Sequence, residues 1–248
     1  MLSRREICFE KSMPYHVLSR TVEGRGAFAR EEDCLRFIFQ IYAANVGRPG
    51  FNLHRQDTVN AGRALLNNEE IHQQSVIVEH PPLVNFLSFA LVGNHYHFLL
   101  APNNDKGIPK FMQKLNGGYA KHFNLKYNRT GNLFEKPYKI IPIKTNFQLD
   151  AVVCYINLIN PLDMYQPGWR EKGLNDREGA FKFLKKYQFS SLLDLFGERN
   201  SKIIASHQIL EQFLQEGITQ NQEEYSNFIK DFLEKKSQPF APFFLEPV

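Results

Sequence analysis

Apolar and polar positions recur with two periods along this 248-residue chain, and the switches between them mark its elements. Tyr15 to Val22 (YHVLSRTV) is rich in β-formers and predicts a strand, with a turn at Glu23 to Gly26. From Glu31 onward Leu35, Ile38, Phe39 and Tyr42 recur at helical spacing until Gly47 and Pro49 end the run. Residues 50–75 are polar, with a short helix expected around Ala61 to Gln73. The strongest local pattern follows: the apolar run VNFLSFALV, then Gly93-Asn94, then the alternating HYHFLL, which together predict two antiparallel strands joined by a tight reversal. Gly107 to Tyr127 returns to the helical period through Ile108, Phe111, Met112, Leu115, Tyr119 and Phe123. Its paired Gly117 and Gly118 either weaken that helix or let a neighbour come close.

A turn and a short strand are expected over residues 128–144, before a helix that opens at Thr145. Gln148, three residues on, completes a capping box there. The helix runs through LDAVVCYINLI and is expected to stop near Asn160, because Pro161 disfavours helical geometry in the residue before it. After the loop QPGWREKGLN, residues 177–235 alternate as helices do. Ser190 to Phe213 reads as two short helices separated by Gly197 to Asn200.

Composition removes several classes of function. With 43% hydrophobic and 13% aromatic residues the chain is no disordered segment. Cys8, Cys34 and Cys154 are scattered and form no CxxC, which excludes a disulfide scaffold and a cysteine zinc site and points to a reducing compartment. The opening MLSRREICFEKS lacks an apolar signal core, and Phe86 to Val92 is too short to span a bilayer. A soluble, cytoplasmic protein without a membrane partner is expected.

The formal net charge of +4 hides its distribution. Between Lys106 and Lys144, eight lysines and Arg129 stand against Glu135 alone, a net +8, so the rest of the chain nets −4. Aromatic residues are interleaved with this block (Phe111, Tyr119, Phe123, Tyr127, Phe134, Tyr138), a mixture that suits phosphate neutralisation with base stacking. From charge alone, a solvated basic helix face is an equally good account.

His95 and His97 flank Tyr96 on a predicted strand, so alternation sends both imidazoles to one face, with Cβ atoms roughly 7 Å apart. Two nitrogens so placed can chelate a divalent ion, although the commoner account of such a pair alone is two ordinary sheet histidines.

LVGNHYHFLLAP, followed by GIPKFMQKLNGGYAKHFNLKYNRTGNLFEKPYK and then CYINLINPLD, resembles the single-tyrosine HUH transposases, in particular the branch of REP-associated tyrosine transposases. YHVLSRTVEGRGAF and EEDCLRFIF match the start of that domain, so the similarity covers roughly residues 13–165, with 50–75 as an insertion.

The resemblance implies an α+β fold, an antiparallel four- to five-stranded sheet flanked by helices of the ferredoxin or RRM-like HUH kind. It implies a catalytic domain over 13–168, with a helical extension over 177–240. His95 and His97 become metal ligands and Tyr155 the nucleophile, with Mg²⁺ or Mn²⁺ as cofactor. The partner is single-stranded or hairpin DNA, cut and rejoined through a 5′-phosphotyrosine. Lys110, Lys114, Lys121, Lys126, Arg129, Lys136 and Lys139 are the residues expected on the DNA, Arg129 and Lys136 foremost. Tyr119 and Tyr127 are the reserve nucleophiles.

Two positions depart from the family's pattern. The segment before the histidines, usually Met-Pro-Asn-His, reads Val92-Gly93-Asn94-His95. The third ligand, often an asparagine one helical turn after the tyrosine, falls on Ile159, with Asn160 one residue beyond. A one-residue offset turns a side chain by about 100° on an α-helix. Three outcomes stay open: a locally widened helix that brings Asn160 round, a site held by the two histidines and water, or impaired catalysis with only nucleic-acid binding retained. An RNA-binding sheet is weaker, for want of its aromatic motif. The acidic end, Asn200 to Val248, can pack on the sheet, form a homodimer or make an accessory contact, packing first.

Overall fold

The computed structural model describes residues 9–11, 13–213 and 222–235. Its strands are β1 (Tyr15–Arg20), β2 (Gly47–Pro49), β3 (Val76–Val78), β4 (Val84–Val92), β5 (His95–Pro102) and β6 (Lys139–Pro142). Its helices are α1 (Glu31–Val46), α2 (Arg55–Leu66), α3 (Gly107–Lys126), α4 (Asn146–Cys154), α5 (Asn160–Tyr165), α6 (Trp169–Lys172), α7 (Arg177–Leu184), α8 (Leu192–Leu195), α9 (His207–Phe213) and α10 (Gln222–Lys235). A four-stranded antiparallel sheet in the order β4-β5-β1-β6 carries helices on both faces, the α+β architecture expected.

The two faces differ in content. Tyr15, Val17, Phe86, Phe89, Tyr96, Phe98 and Leu100 point into a core shared with Phe37 and Ile38 of α1 and with Phe111, Leu115 and Tyr119 of α3. Leu87, Ala90 and Leu99 point the other way, into a core shared with Val152, Tyr155 and Ile156. A shift of register at Phe86/Ser88 lets both Leu87 and Ser88 serve this second side, as a β-bulge does.

Between β4 and β5 the two-residue reversal forms as expected, with Gly93 at φ +53°, a conformation glycine adopts without penalty. Backbone N–H groups of Thr21 and Phe28 hold its carbonyls at 2.9 and 2.8 Å, so the departure from Met-Pro-Asn-His keeps its turn. At Gly118 a Cβ would lie 2.4 Å from Nε2 of Gln40, so this glycine admits a neighbour, α1.

Three expectations need correction. The helix of the insertion covers 55–66 rather than 61–73, because the Asp57 carboxylate accepts the His54 N–H at 2.9 Å and starts it early, while Asn68 at φ +60° follows its end. β2 and β3 pair as a separate small sheet that three-residue strands left without a sequence signal. The third concerns Pro161. The chain does not leave helical geometry at Asn160 (φ −67°, ψ −46°) but passes through a π-helical turn, Tyr155–Ile159, and continues as α5. A regular α-helix would press the proline ring on the carbonyl four residues back, and the widened turn relieves that conflict.

The segment after α7 covers the free edge of β4. Ala90 and Ser190 form an antiparallel bridge, with Leu91 N–H on the Phe189 carbonyl and Ser191 N–H on the Phe89 carbonyl. Leu184, Leu192, Leu195, Phe196, Ile229 and Leu233 lie in one core with Val152 and Ile156, so this part packs on the sheet. Cys8 and the end of the expected extension, residues 236–240, lie outside the described residues. Among the described residues no helix is long and apolar enough to cross a membrane.

Candidate active site

Strand alternation assembles the site. On β5, His95 and His97 leave the face opposite Tyr96 and Phe98, and on β1 the residues His16, Leu18 and Arg20 do the same. Pairing sets Arg20 opposite His95 and Leu18 opposite His97. Their rings gather: His95 and His97 centroids are 5.0 Å apart, and those of His16 and His97 5.2 Å. Nε2 of His16 meets Nδ1 of His97 at 2.9 Å, deep in the molecule, where both residues are fully buried.

The helix that follows β6 completes the group. Thr145 caps it, accepting the Gln148 N–H at 3.2 Å. The Tyr155 ring stands edge-on to His97 at 5.3 Å and to His16 at 6.0 Å. The buried Asn160 follows the π-turn, its N–H bonded to the Tyr155 carbonyl five residues back. The extra residue in that turn returns Asn160 to the angular position that the fourth residue holds in an α-helix. Asn157, two residues after the tyrosine, anchors the turn to the sheet instead, since its amide donates to Ser88 at 2.7 Å and accepts from Ser191 at 2.8 Å.

Sequence reasoning missed His16, Arg20 and Arg170. His16 and Arg20 carried a signal, the same two-residue alternation that selected the β5 pair. Arg170 lies in what read as a plain loop. Its guanidinium grips Asp163 through Nε (3.1 Å) and Nη2 (2.5 Å), donates from Nη2 to Oδ1 of Asn160 at 3.1 Å, and stands 5.5 Å from the centre of the Tyr155 ring. Burial lowers its basicity, but Asp163 and the hydrogen-bonded Tyr155 phenol outweigh that and hold it above its ordinary value.

Residue types and unsatisfied atoms suit a divalent ion. Nε2 of His97 is buried and finds no hydrogen-bond partner among the described residues, an orphan whose lone pair a metal would use. Burial, followed by His16, His95, Arg20 and Arg170, pushes the imidazole well below its ordinary pKa and keeps it neutral, as ligation requires. Among the described residues no three of His, Cys, Asp and Glu form a metal-holding cluster.

The basic residues are not brought together with this group. Lys110, Lys114, Lys121 and Lys126 belong to α3, on the opposite face of the sheet. Lys110 and Lys121 are exposed there, and Lys114 lies 3.2 Å from His80 Nε2. Lys126 is drawn inward onto Asp33 at 2.5 Å, with side chains only 6% and 2% exposed, and is spent on the fold. Arg129 braces its own loop through Asn124 and the Asn132 carbonyl. Lys136 lines a cavity of about 430 Å³ between α3 and the loop before β6. Lys139, paired with Leu18, faces the histidine side at the outer edge of the sheet. The reserve tyrosines are far from this chemistry: Tyr119 donates to the Ala27 carbonyl within the α3 core and Tyr127 to Asp33.

Residues 69–158 match the family model described as "Transposase IS200 like". That match takes in the region from before β3 to the π-turn, with His95, His97 and Tyr155, in keeping with the resemblance; Asn160 and Arg170 lie beyond it. A structural comparison aligns the chain with a REP-associated tyrosine transposase solved bound to a REP hairpin, at 10% identity and a TM-score of 0.44, over 88% of this chain and 96% of that one. No curated protein matches the chain.

Proposed function

We propose that this protein cleaves and rejoins single-stranded DNA, at hairpins, with Tyr155 as nucleophile. The observation that carries the reading is the convergence of Tyr155 on His97, and the π-turn between Tyr155 and Asn160 supports it. In the reaction the Tyr155 Oη–P bond forms and the P–O3′ bond breaks. The phenolic proton ends on the 3′ oxygen, leaving a 5′-phosphotyrosine and a free 3′-hydroxyl, and the stored bond energy permits rejoining without a nucleotide cofactor. A divalent ion, Mg²⁺ or Mn²⁺, held by His95, His97 and Asn160 would supply polarisation of the scissile phosphate. In the tautomer this reading requires, His16 Nε2 accepts from Nδ1 of His97 across their 2.9 Å contact, leaving the His97 Nε2 lone pair for the ion. Residues 13–168 form the catalytic domain in this reading, with the insertion on α1 and the part from 177 onward supporting the tyrosine helix. Lys136 and Lys139 lead the strand round the β6 edge, and Lys110 and Lys121 hold the far part of a hairpin.

A second reading is a hairpin or single-strand binding protein with impaired cleavage. It is favoured by one contact, the donation of Arg170 to the same Asn160 oxygen a metal would need. The test is incubation with a labelled hairpin and Mn²⁺. A covalent adduct that disappears in Tyr155→Phe is expected. Tight, chelator-insensitive binding with no adduct supports the second reading instead.

A further inference from the structure

Arg170 is placed with more care than stability requires. Asp163, which fixes it, also accepts the indole N–H of the buried Trp169 at 2.9 Å, so two consecutive residues of α6 are tied to one carboxylate. The Arg170–Asp163 pair keeps 29% and 35% of its side-chain surface exposed, and ion pairs of that kind contribute at most about 1 kcal/mol to folding. What the arrangement accomplishes is delivery of a fixed positive charge to one place, the hydroxyl end of Tyr155, between that phenol and Asn160. A guanidinium stays protonated throughout and presents several N–H donors in a rigid fork.

We propose that Arg170 is a further catalytic residue: it binds the Tyr155 phenol oxygen, aims it at the phosphorus, and carries the negative charge of that oxygen when Tyr155 leaves during rejoining. The proposal rests on Tyr155 being the nucleophile. In rejoining, a 3′-hydroxyl oxygen attacks phosphorus and the P–Oη bond breaks with its electron pair passing to the phenol oxygen, which regains the proton released by the 3′-hydroxyl. Arg170 neither gains nor loses a proton. Preorganised donors at a developing oxyanion are worth about 10²–10³ in rate.

The experiment compares wild type, Arg170→Ala, Arg170→Lys and Tyr155→Phe, all full-length, in single-turnover adduct formation on a labelled hairpin with Mn²⁺. Arg170→Ala is expected to slow the step roughly 100-fold at saturating DNA, with hairpin Kd changed less than about threefold. Arg170→Lys, which keeps charge but not the fork, recovers part of the rate. Emission of the single tryptophan, Trp169, reports whether the α6 turn is intact in each variant. A second readout needs no turnover: with tyrosine labelled at Cζ, the resonance absent in Tyr155→Phe should move in Arg170→Ala. An unmoved resonance overturns the contact, and an unchanged adduct rate, or a loss lying wholly in Kd, overturns the catalytic role. No adduct from wild type, or an adduct surviving in Tyr155→Phe, defeats the nucleophile reading and the catalytic role with it, while a moved resonance still registers the contact.

Discussion

In the proposed chemistry a single nitrogen, Nε2 of His97, matters most, because it is buried without a hydrogen-bond partner among the described residues and burial keeps its imidazole neutral. His16 is proposed to decide which nitrogen is left over: in the tautomer whose Nε2 accepts from Nδ1 of His97, across 2.9 Å, the His97 lone pair falls on its Nε2. Removing that acceptor leaves the imidazole free to rotate and to change tautomer. His16→Ala is therefore expected to weaken Mn²⁺ binding about 10–100-fold, read from the metal dependence of adduct formation, with DNA affinity retained. An unaltered metal dependence would show that His16 only fills space. The β5 histidines were legible because alternation is local. His16 was not recognised, since its relation to His97 is made by strand pairing across 81 positions of sequence. Lys126 illustrates the converse: counted as a cation for DNA, it meets the buried Asp33 of α1, a partner that no spacing along α3 discloses.

At the level of elements, the proposal of Asn160 as third ligand in place of Ile159 depends on the π-turn. Its cause is local, Pro161, and its consequence is the angular return of Asn160 to the tyrosine's side. Restoring a donor and removing the ring with Pro161→Ala lets the segment relax to a regular α-helix, which would turn Asn160 away by about 100°. Adduct formation is then expected to fall roughly tenfold or more. Adding Ile159→Asn to that variant puts an amide four residues after the tyrosine and should restore activity, whereas the same substitution beside Pro161 should not help. If the double variant is no better than Pro161→Ala, the widened turn does not act through ligand placement. The sequence pattern located the start of the helix at Thr145 but placed its end near Asn160, where the chain in fact stays helical. It could not choose between a stop and a widening, because a proline penalises both the α-helical turn before it and the hydrogen bond it cannot make.

On the scale of the whole molecule, the sheet divides the basic block from the site. Charge counted along the chain places Lys106 to Lys144 between the histidines and Tyr155, but α3 lies on the face of the sheet away from them. At the β6 edge the two sides meet: Lys136 lines the α3 cavity and Lys139 lies on the histidine side. On the proposed path a strand rounds this edge to enter the site, while a longer hairpin also reaches Lys110 and Lys121. The two routes separate by salt dependence. Every lysine removed from a phosphate of a single strand should lower the slope of log K against log salt by about 0.7. On a short single strand, Lys136→Ala with Lys139→Ala is expected to reduce the slope by about 1.4 and to slow adduct formation. The pair Lys110→Ala with Lys121→Ala should leave the short strand untouched and reduce the slope only for a hairpin long enough to reach the second face. Equal effects of both pairs on the short strand would mean that DNA follows α3, and that the edge is not its path to Tyr155.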